Sequence, residues 1–237
     1  MSESTRTDAV NLCPDCAGPG FFRYDALPGD PNFGRLVACQ NPVHSPDRLR
    51  RLAKLSNLSE ADLQRRLSDI KPVKGNEEML AAAQAMATES YGWLYVWGGP
   101  GNAKSEVLIA IVNEINTYGR GPAMYVTFSH LLNWVRDAFK DNAPDSYLMR
   151  FQQVLGVKLL AIDEMDKARS TEFSDEFRFH FLDERYRQAI RGETQIVFAS
   201  NTNPDKLPFA IYDRIRDGRF RIVENKAGSA RPNMRRK

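Results

Sequence analysis

The 237-residue chain has only three cysteines, Cys13, Cys16 and Cys39, an odd count that argues against a disulfide framework. No apolar run approaches the roughly 18 residues that a membrane span requires. Residues Met1 to Asn11 are polar and lack the apolar segment of a signal peptide. The expectation is a cytoplasmic protein without membrane association. Internal repeats and low-complexity segments are also missing, and only 3 histidines occur. Excess charge is small: 33 Lys+Arg face 30 Asp+Glu, a formal net of +3. With 42% hydrophobic, 10% aromatic and 27% charged residues, wholesale disorder is excluded. One medium catalytic domain with a small appendage fits the length.

The near-neutral total hides a segregation. Residues 1–75 are net +2, residues 76–213 net −6 and residues 214–237 net +7. A basic end of this kind suits either a polyanion-facing segment or a solvated tail.

Cys13-Pro-Asp-Cys16 has the spacing that offers two thiolates to one tetrahedral ion, and Cys39 and His44 supply a second pair. Cys₃His is a structural Zn²⁺ set with no open catalytic position. The competing reading is three free thiols and an unrelated histidine. Between the two pairs, Phe21 to Val37 holds enough apolar residues for a short hairpin or two. The first domain is therefore drawn as a zinc-binding ribbon over residues 1–46. Residues 47–76 read as a helical linker region: Leu49, Leu52 and Leu55 recur at threes, and Ser59 caps a second helix carrying Leu63, Leu67 and Ile70. Lys71 to Asn76 reads as the linker proper, with the catalytic domain over residues 77–237.

From Tyr91 onward, short apolar runs alternate with helical stretches, the pattern of an α/β fold with a parallel sheet. The strand Trp93–Trp97 runs into Gly98-Gly99-Pro100-Gly101-Asn102-Ala103-Lys104-Ser105-Glu106, and a helix from Lys104 to about Tyr118 follows. Strand, glycine-rich loop and helix make a phosphate loop. Backbone N–H groups would face the phosphates of ATP, Lys104 would reach the β- and γ-phosphates, and Ser105 would ligate Mg²⁺. Position 103 departs from the pattern, because Ala stands where Gly is expected. Either the loop still binds ATP along a slightly altered path, or the site is weakened.

A second strand, Val157 to Ile162, ends in Asp163-Glu164. Asp163 would hold Mg²⁺, and Glu164 would orient or deprotonate the water that attacks the γ-phosphate. A third strand, Thr194 to Ala199, ends in Ser200-Asn201, within reach of the same crevice.

These residues, in this order, resemble AAA+ ATPases of the DnaC/DnaI-like helicase-loader and IstB-like transposition-helper group. The likeness covers most of the chain. Gly92 to Ser105 resembles their Walker A region, Met124 to Leu132 their second strand and helix, and Leu160 to Glu164 their Walker B segment. Ala199-Ser-Asn-Thr202 resembles sensor 1, which makes Asn201 the sensor. Cys13 to Cys39 resembles the N-terminal zinc module of loader-like proteins. The resemblance implies an ASCE-type P-loop NTPase sheet flanked by helices. Tyr212-Asp-Arg-Ile215 implies that Arg214 is an arginine finger for a neighbouring subunit, and Gly228-Ser-Ala-Arg231 implies a sensor 2 arginine at Arg231. Arg185 also matches a family position and receives no role.

The function implied is an oligomeric ATPase, with nucleotide between subunits, that loads a replicative helicase onto single-stranded DNA. Two alternatives stand beside it: a DNA-binding transposition helper that recruits a transposase, and a nucleotide-binding adaptor with little turnover because of Ala103. Trp134 and Phe139 read as part of a helix core stripe with Leu131, Leu132 and Val135. Phe173, Phe177, Phe181 and Tyr186 read as packing a long helix on the sheet, and His130 and His180 are expected to have no catalytic role.

Overall fold

The computed structural model describes residues 21–23, 36–38, 55–88, 92–118, 122–140 and 146–229. The chain divides into two compact units, Met1–Leu52 and Ala53–Lys237. In the first, β1 (Phe21–Arg23) pairs antiparallel with β2 (Leu36–Ala38), Phe22 opposite Val37. Cys13, Cys16, Cys39 and His44 lie outside the described residues.

The second unit is a five-stranded parallel sheet with helices on both faces. Its strands are β3 (Gly92–Gly98), β4 (Ala123–Thr127), β5 (Leu159–Asp163), β6 (Gln195–Ser200) and β7 (Arg221–Asn225), in spatial order β4-β5-β6-β3-β7. All four pairings are parallel. The central strands β5 and β6 are buried along their whole length because helices cover both their faces. Leu94 and Val96 face a core shared with α2 (Glu77–Thr88) and α3 (Lys104–Thr117). Trp93 and Tyr95 alternate to the other face, where Trp93 stacks on Phe220 and meets Tyr186 and Phe198 edge-on.

The helix after the phosphate loop buries more than a single stripe. Besides Val107, Leu108, Ile111, Val112 and Ile115, it buries Ile109 and Ala110. The cover comes from the segment read as a linker. Leu67 and Ile70 enter the same core, Asn113 donates to the carbonyls of Asp62 and Arg65, and Leu67 N–H donates to Glu114. Residues 55–76 thus pack within the second unit, ahead of the boundary drawn at residue 76. Their helix is also shorter than expected. Ser59 caps α1 (Glu60–Leu63), reinforced by Asp62 in a reciprocal capping box, but Arg66 is extended and Leu67–Asp69 forms a 3₁₀ turn. Local helical hydrogen bonding is given up there for bonds to α3.

On the opposite face, α4 (Phe128–Arg136) buries Phe128, Leu131, Leu132 and Val135, and α5 (Tyr147–Leu155) lies beside it. Phe139 falls past the end of α4 and is 64% exposed, so it is not part of that core stripe. The long α6 (Glu172–Ile190) buries Phe177 and Phe181, while Phe173 and Tyr186 are half-buried. From α6, Arg185 enters the interior completely. Its guanidinium donates to the carbonyls of Val157 at 2.6 Å and Gln195 at 2.5 Å, and also to Leu155. It stitches α6 to the starting ends of β5 and β6. Burial pushes this guanidinium down to about 9. A short α7 (Phe209–Ile215) leads toward β7. No helix among the described residues is long and apolar enough to cross a membrane.

Candidate active site

Three neighbouring parallel strands, β5, β6 and β3, deliver their C-terminal ends to one crevice, the place where open α/β sheets bind ligands. Its volume is about 390 Å³, and residues 100–106, Asp163, Glu164, Asp166, Lys167, Ala199, Ser200 and Asn201 line it.

The loop that forms one wall is held in a conformation only partly suited to its residues. Gly98 has φ +145°, and a Cβ there would lie 2.3 Å from the carbonyl oxygen of Asn225, so any side chain collides with β7. Ala103, at the N-cap of α3, adopts φ 67°, ψ 15°, the left-handed region. That conformation costs an L-residue roughly 1–2 kcal/mol. Ala103 packs against the buried core cluster as well as lining the crevice. Its backbone follows the path a glycine would take.

Lys104 is buried, 7% exposed. Its ammonium donates to the carbonyls of Gly98 at 2.9 Å and Gly99 at 2.6 Å, and to Asn102 Oδ1 at 2.8 Å. Burial pulls its proton affinity down, opposed by the negative charges of Asp163 and Asp166. Ser105 and Glu106 are exposed, and Glu106 accepts from Arg65 at 2.9 Å.

Across the crevice, both oxygens of Asp163 are engaged. Tyr125 Oη donates to Oδ2 at 2.8 Å, and the Glu164 N–H donates to Oδ1 at 2.8 Å. Burial, with Asp163 next in effect, raises the Tyr125 phenol far above its ordinary value, so it remains a donor. Glu164 also has positive φ, 54°, and its carboxylate forms an ion pair with Lys167. On β6, the Ser200 hydroxyl accepts from the Thr202 N–H at 2.9 Å, and Tyr95 Oη donates to the Thr202 carbonyl at 2.9 Å. Burial pushes the Tyr95 phenol up to about 12. These bonds fix the turn that carries Asn201 to the crevice edge.

The structure brings the expected phosphate loop, Lys104, Ser105, Asp163, Glu164 and Asn201 to one place. The oxygen donors of Ser105 and Asp163 suit Mg²⁺, a hard cation that takes hydroxyl, carboxylate and water ligands. Arg214 does not line this crevice. It pairs with Asp183 of α6, with its guanidinium 5.3 Å from the Phe179 ring centroid and 5.8 Å from that of Tyr186. Arg231 lies outside the described residues. Sequence reasoning missed Tyr125, Asp166, Lys167 and Asn225. A tyrosine inside the apolar strand Ala123–Val126 was a signal for the first, and the charges following Asp163-Glu164 were one for the next two. Asn225, 123 residues from Asn102, gave no signal.

A family model described as the bacterial DnaA ATPase domain matches residues 71–222, well over half of the chain. The chromosomal replication initiator protein DnaA of Thermoanaerobacter sp. (strain X514) is 27% identical over 150 residues, covering 61% of this chain and 32% of that protein. The chain thus matches about a third of the length of that relative. A replication initiator DnaA bound to AMPPCP and single-stranded DNA superposes with a TM-score of 0.60 at 19% identity, covering 70% of this chain and 50% of that one. The DnaC helicase loader superposes with a TM-score of 0.58 at 14% identity, covering 71% of this chain and 100% of that one. At these identities the likeness to the two structures establishes the shared fold alone.

Proposed function

Because the chain belongs to the bacterial DnaA ATPase-domain family, we propose that it binds ATP with Mg²⁺, hydrolyses it, and uses the cycle to load a replicative DNA helicase onto single-stranded DNA. The observation that carries the reading is the crevice itself. A phosphate loop, a paired Asp163-Glu164 and Asn201 converge on it from three adjacent strand ends. The crevice offers positive charge and hydrogen-bond donors that would suit a triphosphate, and a carboxylate that would serve an attacking water as base.

In this reading the first turn of α3 receives the β-phosphate on its N–H groups, and Lys104 exchanges its carbonyl partners for phosphate oxygens. Ser105 and Asp163 would hold Mg²⁺, which would supply neutralisation of phosphate charge. Tyr125 keeps Asp163 aimed, since its phenol donates to the carboxylate's Oδ2. Glu164 turns from Lys167 toward the water and accepts its proton, while Asn201 orients that water against the γ-phosphate. Arg214 acts on the nucleotide of a neighbouring subunit, so assembly and turnover depend on each other. The fold shared with the DnaC helicase loader and with a DnaA bound to single-stranded DNA supports the choice of helicase and single-stranded DNA as partners.

Turnover measured with and without single-stranded DNA, followed by co-purification, tests the proposal. A hexameric helicase retained with the chain, and hydrolysis stimulated by DNA, are expected. Retention of a transposase would replace the loading role with that of a transposition helper. One observation favours a second reading, an adaptor that binds nucleotide with little turnover: Ala103 holds the loop in a conformation that disfavours its side chain. Turnover no higher than that of Glu164→Gln, with DNA present, would establish it.

A further inference from the structure

The strained residue in the phosphate loop is gripped from both sides. Rotation about the N–Cα bond of Ala103 is set by the peptide plane that carries the Asn102 carbonyl, and that carbonyl accepts from Asn225 Nδ2 at 2.7 Å. In return Asn102 Nδ2 donates to the Asn225 backbone carbonyl at 3.1 Å. On the other side, the Ala103 carbonyl is the first acceptor of α3, bonded by the Val107 N–H at 3.0 Å. Both asparagines are buried, 3% and 1% exposed. The Asn225 side chain is itself oriented, because its Oδ1 accepts from the Ala227 N–H at 3.0 Å. Fixing the two peptide planes that flank a residue fixes its φ and ψ.

We propose that the reciprocal Asn102–Asn225 clasp holds Ala103 in the left-handed conformation, so that Asn225 is a positioning residue for the phosphate loop. A glycine at position 103 enters this region freely and needs no clasp. An alanine does not, and the end of β7 supplies what the residue lacks. Asn225 closes a buried junction on the side of the loop held against β7, where its Nδ2 also donates to Met79 Sδ at 3.2 Å, and it acts on the site through the loop backbone. A further feature belongs to the same junction: Gly98, whose missing Cβ lets the Asn225 carbonyl approach.

The proposal rests on the reading of the crevice as an ATP site, and its test separates the two. The affinity of a fluorescent ATP analogue is measured for the unmodified chain, Asn225→Ala, Ala103→Gly and the double variant. With Ala at 103, Asn225→Ala is expected to raise Kd about tenfold, the worth of one buried hydrogen bond. With Gly at 103, the same change is expected to raise Kd no more than about twofold. Equal factors in the two backgrounds would overturn the proposal. If Asn225→Ala does not fold, Asn225→Ser, which also removes the Nδ2 donor to the Asn102 carbonyl, enters the same cycle. If the unmodified chain binds no analogue, the functional reading fails and the clasp is still measured. Thermal midpoints of the same variants should fall less on clasp removal when residue 103 is Gly, and equal falls would overturn it.

Discussion

The carboxylate of Glu164 is paired with the ammonium of Lys167, three residues along the chain and lining the same crevice. The base expected to accept a proton from water is thus held by a cation next to it. Both side chains are about half exposed, at 40% and 52%, and pairs of this kind are worth roughly 0–1 kcal/mol. Lys167→Ala should therefore raise kcat, by at most about fivefold. Glu164→Gln should lower kcat by about 10²–10⁴-fold, the range for a lost general base, while the analogue still binds. Steady-state kinetics beside direct binding measures both. A fall in kcat for Lys167→Ala would mean that the lysine assists the reaction rather than restraining it.

Arg214 is packed against α6 within its own chain, paired with Asp183. Its proposed work on a neighbouring nucleotide requires that pairing to open on assembly. Arg214→Ala should lower turnover by about 10³-fold or more and leave a monomer's nucleotide affinity within a few-fold. Titrating the variant into unmodified chain should depress activity more than in proportion to its fraction. Proportional dilution would show that Arg214 serves only its own subunit.

Arg185 is a stability residue in this structure. Its folded-state proton affinity lies below the ordinary guanidinium value because it is buried, so at neutral pH the full cost of burying a charge is present. Three carbonyl bonds offset it. Arg185→Ala removes the donors and leaves those oxygens buried, a loss of about 3 kcal/mol. Arg185→Lys should recover part of that loss. Urea unfolding at pH 7 reads both variants.

Acid should weaken the junction between α6 and the turn before β7. Arg219, and then Tyr186, donate to Asp217 and hold its carboxyl well below the ordinary range. A lowered folded-state value contributes stability above the unfolded value, near pH 4, and that contribution is lost as pH falls through the folded value. Between about pH 4 and pH 2, the unmodified chain should lose stability more steeply than Asp217→Asn. At pH 7 the variant should be the less stable of the two. Parallel slopes would remove Asp217 from the account.

The parts of the site that lie next to one another in sequence were legible before any coordinates. Trp93 to Ser105 carries strand, turn and helix in one run, and Asp163-Glu164 ends an apolar strand. What the sequence concealed are relationships across the sheet. Tyr125 meets Asp163 because β4 and β5 are neighbours in register, a pairing that alternation alone does not specify. From sequence, residues 47–76 read as a helical linker region, whereas Leu67 and Ile70 enter the core of the second unit. Their partners are on α3, and much of the segment's attachment runs through Asn113 and Glu114 rather than through apolar area. Phe139 was assigned to the core by spacing, although the helix ends before it. The oddity at Ala103 was visible as a departure from a pattern, whereas its relation to Asn225 required the fold.

During synthesis β3 emerges well before either of the strands that flank it, since β6 and β7 are the last two of the sheet to be made. Pairing over such sequence separations is slow, because the intervening chain must be closed into a loop before the contact forms. The phosphate loop therefore cannot take its final shape on a growing chain until Asn225 has left the ribosome. A nascent chain stopped short of β7 would present an exposed edge on β3 and no clasp for residue 103. Nucleotide binding at the proposed site is in this sense a late event in folding, and reports that all five strands of the sheet have been made.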